Sequence, residues 1–345
     1  MPTCRLAFAV CLLVGPAGCA GPPGPPETGE ASAVFDEVSR VELDTAVLAT
    51  IGRINDILVL DHQILVADRT TDRVVAFDRD GDFLRASGQR GDGPGEFRTP
   101  TALLEDTDGT ILVSQLNDRL TRFTPSLELV GVFETDVSTF IADLALLGSQ
   151  VFLFDGSYRT EGDNYVLWDG SSGRVGTFDP RNELSQVPYW NAAWSTHIAL
   201  GPNHIFVTDN MVYPIRRYTL DMQFVDTVGT APVSWSQARK PGLGEFATPG
   251  QQGAQEWLRS FTVIDGLFVV ADEWLIVTHR ERVNEYPTQD HIRADLYSLK
   301  PEFRKVWTDI LLPGPILEGG SCAWLLVAVP PAPWTLACWR PRPAL

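Results

Sequence analysis

The fold is decided by residues 64–100, which read ILVADRTTDRVVAFDRDGDFLRASGQRGDGPGEFRTP. This stretch holds three short segments rich in β-branched and aromatic residues, at 64–68, 73–78 and 83–88. Turns rich in Asp and Gly separate them. Short runs of this kind, bounded by turn residues, are typical of antiparallel hairpins. No long stretch of the chain shows the apolar spacing of a helix, so the sequence predicts an all-β protein.

The same order of segments returns further along the chain. Residues 109–114, 118–123 and 129–133 repeat it, with Ile111 lying 47 positions after Ile64 and Arg119 lying 46 positions after Arg73. Periods of this length are typical of propeller blades or solenoids. Looser copies follow at 151–168, 205–225 and 261–310. An inner strand precedes each pair, so each unit has four strands. Five or six such units predict a β-propeller, and residues 34–43 are expected to close its ring by pairing with the last blade.

A second repeated motif lies between the units. The sequence Gly-x-Gly-Glu-Phe-x-Thr-Pro occurs at 93–100 and again at 242–249. At these residues the chain resembles the NHL-repeat six-bladed propellers, in particular secreted bacterial ones. The resemblance implies six four-stranded antiparallel blades, with this motif as the crossover from one blade to the next. In such a crossover Gly permits positive φ angles, Phe can plug the gap between blades, and Pro stiffens the start of the next strand.

The C-terminal segment, residues 319–345, departs from the pattern. It has no acidic residue and contains five Pro, three Trp, and Cys322 and Cys338. Two interpretations stay open. In the first, the segment forms a divergent last blade stapled by a disulfide, and closing a loop of that size with a disulfide stabilises the fold by about 3 kcal/mol. In the second, the segment is an out-of-register tail that leaves the blade incomplete. We therefore assign 34–318 to the propeller and 319–345 to the uncertain last blade.

Composition limits the classes of function. The 345 residues are 44% hydrophobic and carry a net charge of -17, from 27 basic and 44 acidic residues. The apolar content excludes disorder along the whole chain. An anionic surface without a basic patch argues against nucleic-acid binding. Five cysteines, none between positions 20 and 321, are too few for a disulfide scaffold.

The N-terminus indicates export. Residues 1–18 hold Arg5, a short apolar run and small residues, as in a secretory signal peptide. The segment ending at Cys19 resembles the bacterial lipobox, which implies a lipid on Cys19 and, with Ala20 next, sorting to the outer membrane, facing the periplasm or the cell surface. The alternative is ordinary cleavage that leaves Cys19 as a free thiol. The Pro- and Gly-rich residues 19–33 are predicted to be the anchor site and a solvated tether.

No metal site is predicted from the sequence. The turns at 78–82 and 106–109 resemble the start of a calcium loop, but Gln89 and Asn117 stand where its acidic twelfth residue is needed. Asp and Gly favour hairpin turns for backbone reasons alone. The five His residues lack metal-ligand spacing. We expect no cofactor, although ligands from separate blades can still meet at a divalent metal in the channel.

Candidate ligand-binding residues come from two places. Residues 187–197 bring aromatic rings and a histidine ahead of an inner strand, where they can stack on a sugar, a peptide or an apolar ligand, or simply pack between blades. Two arginines at crossovers can orient a carboxylate, or pair with Glu96 and Glu256 at the surface. The predicted site residues are Tyr189, Trp190, Trp194, His197, Arg98 and Arg259.

These features favour a binding function. The leading interpretation is an exported, lipid-anchored propeller that binds a small ligand or an envelope protein, since no nucleophile motif or catalytic set is visible. The alternatives are a metal-dependent hydrolase or lyase with its site in the channel, and a sensor or assembly partner of an envelope complex. The membrane is expected to be contacted only through the lipid on Cys19.

Overall fold

A computed structural model describes residues 27–44, 51–116, 119–135, 141–155, 165–168, 174–178, 196–238, 260–281, 292–300, 302–329 and 332–343. Within these ranges the chain forms 25 strands and one single-turn helix, arranged as six separate sheets. None of the described helical segments is long and apolar enough to span a bilayer. The predicted all-β six-bladed propeller is confirmed.

The first four sheets each consist of four consecutive antiparallel strands. Sheet 1 is made of β3 (Ile54–Val59), β4 (Gln63–Asp68), β5 (Arg73–Asp78) and β6 (Phe83–Ser87). Sheet 2 is made of β7 (Pro100–Glu105), β8 (Ile111–Gln115), β9 (Arg119–Phe123) and β10 (Leu129–Glu134). Sheet 3 is made of β11 (Ile141–Leu147), β12 (Gln150–Asp155), β13 (Tyr165–Trp168) and β14 (Arg174–Phe178). Sheet 4 is made of β15 (Thr196–Leu200), β16 (His204–Asp209), β17 (Val212–Thr219) and β18 (Phe224–Val228).

The last two sheets take in strands from the N-terminus. Sheet 5 is made of β19 (Thr262–Val270), β20 (Trp274–Glu281), β21 (Ile292–Ser298), β22 (Arg304–Leu311) and, as its outer edge, β1 (Glu27–Glu30). Sheet 6 is made of β23 (Ile316–Glu318), β24 (Ala323–Ala328), β25 (Thr335–Pro341) and β2 (Phe35–Glu42). The helix α1 (Ala31–Val34) joins β1 to β2.

The ring closes through the two ends of the chain. Strand β2 pairs antiparallel with β25, so that Asp36 lies opposite Arg340. The backbone N–H of Leu43 continues the contact by donating to the carbonyl of Trp334 at 2.9 Å. The expected pairing of residues 34–43 with the last blade is confirmed. Because β2 supplies the fourth strand, sheet 6 is complete only when both termini are in place.

In the structure, the C-terminal segment forms a divergent last blade. Residues 316–341 form three strands in register, and a disulfide joins Cys322 to Cys338 with their Cα atoms 5.7 Å apart. Trp324 and Trp334 are buried in the core that sheet 6 shares with sheet 1. The segment lacks acidic residues because its strands bury apolar and aromatic side chains against two neighbouring blades.

The predicted tether needs a correction. Residues 27–33 belong to the folded body: β1 runs parallel to β22, with Thr28 opposite Thr308, and Ala31 of α1 is buried in the core of sheets 5 and 6. The physical reason is that the outer strand of sheet 5 would otherwise expose its edge. The signal peptide, Cys19 and the rest of the predicted tether lie outside the described residues.

The predicted role of the crossover phenylalanine is confirmed at the first motif. Phe97 has no exposed surface and packs among residues of sheets 1 and 2, with its ring 5.8 Å from that of Phe123. Gly88 adopts a φ of +96°, and a Cβ there would lie 2.4 Å from the Phe97 ring. Gly95 also has a positive φ, of +77°. The second motif, at 242–249, lies outside the described residues.

A polar network ties sheet 4 to sheet 5. At its centre is Asp295, which is fully buried and accepts hydrogen bonds from the Tyr213 hydroxyl at 2.8 Å and from Lys305 Nζ at 2.6 Å. The Thr308 hydroxyl donates to the second carboxylate oxygen at 2.8 Å. Burial raises the pKa of Asp295, but neighbouring His279 and Lys305 outweigh burial and hold the pKa at about 2. This carboxylate therefore stays charged and bonded at neutral pH.

Truncation of the crossover phenylalanine tests the interblade packing. We expect Phe97→Ala to lower the free energy of unfolding by about 3–5 kcal/mol, because it leaves a cavity between two sheets. The matched control is Phe224→Ala, since Phe224 is 59% exposed in β18 and its loss is expected to cost less than about 1 kcal/mol. Urea denaturation followed by tryptophan fluorescence measures both. Equal losses would contradict the plug role.

The buried carboxylate predicts how stability depends on pH. The folded-state pKa of Asp295, about 2, lies below the unfolded value of roughly 3.9. Its contribution, roughly 2 kcal/mol, is thus present above pH 4 and lost as the pH falls toward 2. Asp295→Asn should remove this part of the acid dependence and destabilise the protein at pH 7 by about 3–5 kcal/mol, because it leaves the Lys305 ammonium unpaired. Urea denaturation at several pH values measures the free energy of unfolding of each protein, with the exposed Asp221→Asn as control. If Asp295→Asn and the wild type lose stability in the same way as the pH falls, the prediction is refuted.

Candidate functional site: the central channel

The innermost strand of each sheet faces a common channel. Adjacent inner strands contact one another around the ring, from β3 through β7, β11, β15 and β19, and β23 contacts β3 in turn. Between β19 and β23 the link is a bridge from Val270 to Gly320. The channel wall is therefore continuous.

A cavity of about 210 Å³ lies where most of these strands begin. Inner strands of five sheets line this cavity. A ligand that is contacted by several blades is expected to lie at such a position. Its polar lining consists of Asn55 and Asp56 from β3, Thr101 from β7, His197 from β15 and Asp265 from β19. We call these five residues the channel site.

Bulges in the inner strands direct several of these side chains. The ladder between β3 and β4 shifts register between Ile54 and Asp56, and that between β19 and β20 shifts between Ile264 and Gly266. The ladder between β7 and β8 shifts after Pro100. An extra residue in a bulge bends the strand and turns its side chain out of the regular alternation. Residues 55, 101 and 265 lie at these bulges.

His197 has the most unusual environment in the channel site. Its imidazole bonds the backbone carbonyl of Ile264, whereas Nε2 is buried and has no hydrogen-bond partner among the described residues. Loss of solvent lowers the pKa of His197, and the nearby Arg280 acts in the same direction, against the carboxylate of Asp265. The ring is therefore neutral at pH 7, with Nε2 as an unused acceptor.

The two carboxylates of the channel site differ in their roles. Asp56 accepts from the backbone N–H of Ile57 at 2.9 Å and from that of Leu103 at 2.7 Å, so it ties sheet 1 to sheet 2. Asp265 instead pairs with Arg280 at 2.9 Å, and both side chains keep partial exposure. Asp265 and Arg280 are thus the charged pair that a ligand can reach beside His197.

Other polar groups complete the wall. The Asn55 side chain donates to the carbonyl of Pro100 at 2.8 Å, and the Thr101 hydroxyl shares a hydrogen bond with Ser114 at 2.8 Å. Arg53 lies near enough to Arg280 for the two charges to repel, although burial is the larger cause of the lowered pKa of Arg53. The cavity is therefore lined by a neutral imidazole and by the carboxylate of Asp265, which pairs with Arg280.

The predicted site residues meet different outcomes. His197 is the second residue of β15 and lines the channel cavity. Arg98 lies at the surface, where its guanidinium pairs with Asp92 and not with Glu96. Glu96 instead accepts from the backbone N–H of Gly93 at 2.8 Å and stabilises the crossover. The remaining candidates lie outside the described residues: Cys19, Tyr189, Trp190, Trp194 and Arg259.

The aspartate-rich turns are hairpin turns in the structure. One oxygen of Asp78 accepts from the backbone N–H groups of Asp80 and Asp82, each at 2.9 Å, and Gly81 has a φ of +96°. Asp106 pairs with Arg122 at 2.7 Å. Over the described part of the chain, no group of three or more His, Cys, Asp or Glu side chains is arranged to hold a metal ion.

Comparisons with known proteins agree with this fold. A family model described as a six-bladed β-propeller matches residues 25–174. No curated protein matches the sequence. A protein of Bacteroides fragilis named as exported superposes with a TM-score of 0.62 at 14% identity, covering 92% of this chain and 99% of its own. A DUF4221-family member from Bacteroides vulgatus superposes with a TM-score of 0.54 at 12% identity, covering 90% and 98%.

A streptogramin B lyase superposes with a TM-score of 0.50 at 12% identity, covering 92% of this chain and 94% of its own. At these identities the likeness concerns the fold and not the chemistry. The chain is thus a six-bladed β-propeller similar in architecture to exported bacterial propellers.

Proposed function

We propose that this protein is an exported binding protein of the bacterial cell envelope, which holds a small polar ligand in the channel site. The observation that carries the proposal is the polar cavity lined by inner strands of five sheets, with His197 in its wall. The Nε2 atom of His197 is buried and has no hydrogen-bond partner among the described residues. A buried polar atom left unpaired costs free energy of about 1–3 kcal/mol. A ligand that donates a hydrogen bond to this atom recovers that cost.

The surrounding charges define the ligand further. Asp265 lines the cavity and accepts hydrogen bonds, and Arg280, its ion-pair partner, donates them. A ligand bearing both hydroxyl or amide donors and an acceptor oxygen fits this pair, as a sugar or a short peptide does. Binding suits the scaffold because the site is built on strands of a closed ring, which holds its groups in place before the ligand arrives.

Export supports this assignment at the level of the cell. The signal-like residues 1–18 and the fold shared with an exported bacterial propeller both favour a location outside the cytoplasm. We further propose that Cys19 carries a lipid and anchors the body to the outer membrane. The propeller begins at β1, so residues 20–26 would join the lipid to the edge of sheet 5.

Loss of the cysteine tests the anchor. In cells that express the full-length protein, we expect the wild type to fractionate with the outer membrane and to incorporate an alkyne-labelled fatty acid. Cys19→Ser should lose the label and move to the soluble periplasmic fraction, because one substitution removes the only predicted membrane element. Cys4→Ser, within the signal region, serves as control. Label on Cys19→Ser, or absence of label from both the wild type and Cys4→Ser, would contradict lipidation at Cys19.

A defined ligand panel tests the channel site. We expect at least one member of a panel of monosaccharides, disaccharides, dipeptides and carboxylates to raise the melting temperature of the wild type. His197→Ala should weaken the binding of that ligand by about tenfold to a hundredfold, because the ligand group that donates a hydrogen bond to Nε2 loses its partner. His62→Ala, at an exposed turn, should bind as the wild type does.

The protonation state of His197 gives an independent measurement. Nitrogen-15 NMR of the histidine rings should find His197 neutral at pH 6.5, with an unprotonated Nε2 that shifts when ligand binds. A cationic His197 at that pH, or panel ligands that bind equally to His197→Ala, would refute the proposal.

A further inference from the structure

A second cavity, of about 520 Å³, lies where the inner strands end. Its apolar wall comes from β15 and β19, which supply Ala199, Leu200, Leu267 and Phe268. Leu267 and Phe268 also line the channel site, so the two cavities follow one another along the channel. The lining residues include two that ionise, Glu318 and Asp272, and both are acids. We call this cavity the acidic mouth.

The carboxyl group of Glu318 is held at the acidic mouth by the backbone. Glu318 ends β23, and its Oε2 accepts from the N–H of Val59, the last residue of β3, at 2.9 Å. Its other oxygen, Oε1, has no hydrogen-bond partner among the described residues. The cavity wall beside it is equally fixed, because Gly320 donates to the carbonyl of Val269 at 3.0 Å and accepts from Ala271 at 2.6 Å. A Cβ on Gly319 would lie 2.6 Å from the Val269 oxygen.

The charges around Glu318 do not balance the negative charge of its ionised carboxylate. Loss of solvent raises the pKa of Glu318 to about 8, while the bond from Val59 and the charge of Arg79 act in the opposite direction. The Arg79 guanidinium is engaged elsewhere: it donates to the Leu60 carbonyl at 3.1 Å and lies 5.5 Å above the Trp324 ring. Asp272, on the β19–β20 turn, adds negative charge. No lining residue of this cavity supplies a cation.

From this arrangement we propose that the acidic mouth binds a primary alkylammonium group, with the ammonium against Glu318 Oε1 and the alkyl chain along the apolar wall. A cation is the ligand that offsets a buried carboxylate, and it favours the ionised form of the acid. The aliphatic wall gains from burying methylene groups, at about 0.8 kcal/mol each. The site is separate from the His197 end of the channel and does not depend on what binds there.

Proton release is the signature of this mode of binding. At neutral pH Glu318 is protonated, so an arriving ammonium displaces its proton to solvent. With a carboxyl pKa of about 8, the ionised fraction rises about twentyfold between pH 6.5 and pH 8.5. Affinity should rise by a similar factor over that range, while an alkylamine stays charged below its own pKa of roughly 10.

Titration calorimetry with spermidine, and with the lysine side chain of Nα-acetyl-lysine methylamide, tests the proposal. We expect binding to the intact mature protein that strengthens about twentyfold from pH 6.5 to 8.5. Heats measured at pH 6.5 in phosphate and in ACES, two buffers with different ionisation enthalpies and no primary amine, should differ by the amount expected for release of nearly one proton. Tighter binding of spermidine would indicate a free polyamine as the natural ligand, and tighter binding of the lysine derivative would indicate a polypeptide side chain; either result supports the alkylammonium site.

The decisive variant is Glu318→Gln. Its amide oxygen can still accept from Val59, so the fold is expected to hold, whereas amine affinity should fall at least tenfold and proton release should vanish. Glu128→Gln, in the exposed β9–β10 turn, is the control and should bind as the wild type does. His197→Ala should also keep amine binding, so that failure at one cavity is distinguishable from failure at the other. Absence of amine binding, equal affinity at both pH values, or unchanged binding by Glu318→Gln would overturn the proposal.

Discussion

The pairing of β2 with β25 is the constraint on which the rest of the structure depends. Six twisted sheets enclose a channel only if the last sheet meets the first, and that sheet combines β2 from the N-terminal part of the chain with β23, β24 and β25 from the C-terminal part. The closure fixes β23 against β3, and with it the contact of Glu318 with Val59. Without it the inner strands would have no fixed spacing, and neither cavity would have a defined wall.

The two ends of the channel offer opposite chemistry. At one end the neutral imidazole of His197 and the carboxylate of Asp265, paired with Arg280, line the cavity. At the other end carboxyl groups line it. The inner strand β19 joins them, since Leu267 and Phe268 contribute to both cavities. Both cavities are lined by strands that are embedded in the closed ring, which holds their side chains in place. The two sites are therefore best understood as independent, each defined by the side chains at its own end of the strands.

The sequence predicted those features whose determinants are local or repeated. Strand positions in sheets 1 and 2 followed from apolar runs between Asp- and Gly-rich turns, and the plug role of Phe97 followed from its motif. The sequence also favoured the closing strand, and it left the disulfide of Cys322 with Cys338 open as one of two interpretations. The edge strand β1 was missed because Pro and Gly precede it, and because an edge needs a neighbour rather than a strong strand sequence.

The channel residues were mostly missed for a different reason. Asp56, Asp265 and Glu318 are single acids in strands of ordinary composition, far apart in sequence, and nothing local separates them from the many surface acids. Their burial is created by the ring and by bulges in the inner strands. Asp295 was missed in the same way, since its partners Tyr213 and Lys305 come from two different sheets. The signal that could have found the channel residues is position: an acid at the start or the end of a strand that opens a repeat.

The closure also governs when the protein can fold. Asp36 and Arg340 must meet across nearly the whole chain, and contacts between distant residues form slowly because the intervening chain must first be ordered. A nascent chain that lacks residues 335–341 has no β25, so the complete ring cannot form before that strand has been synthesised. The pairing that seals the propeller is thus also the step that keeps the channel unformed until β25 is available.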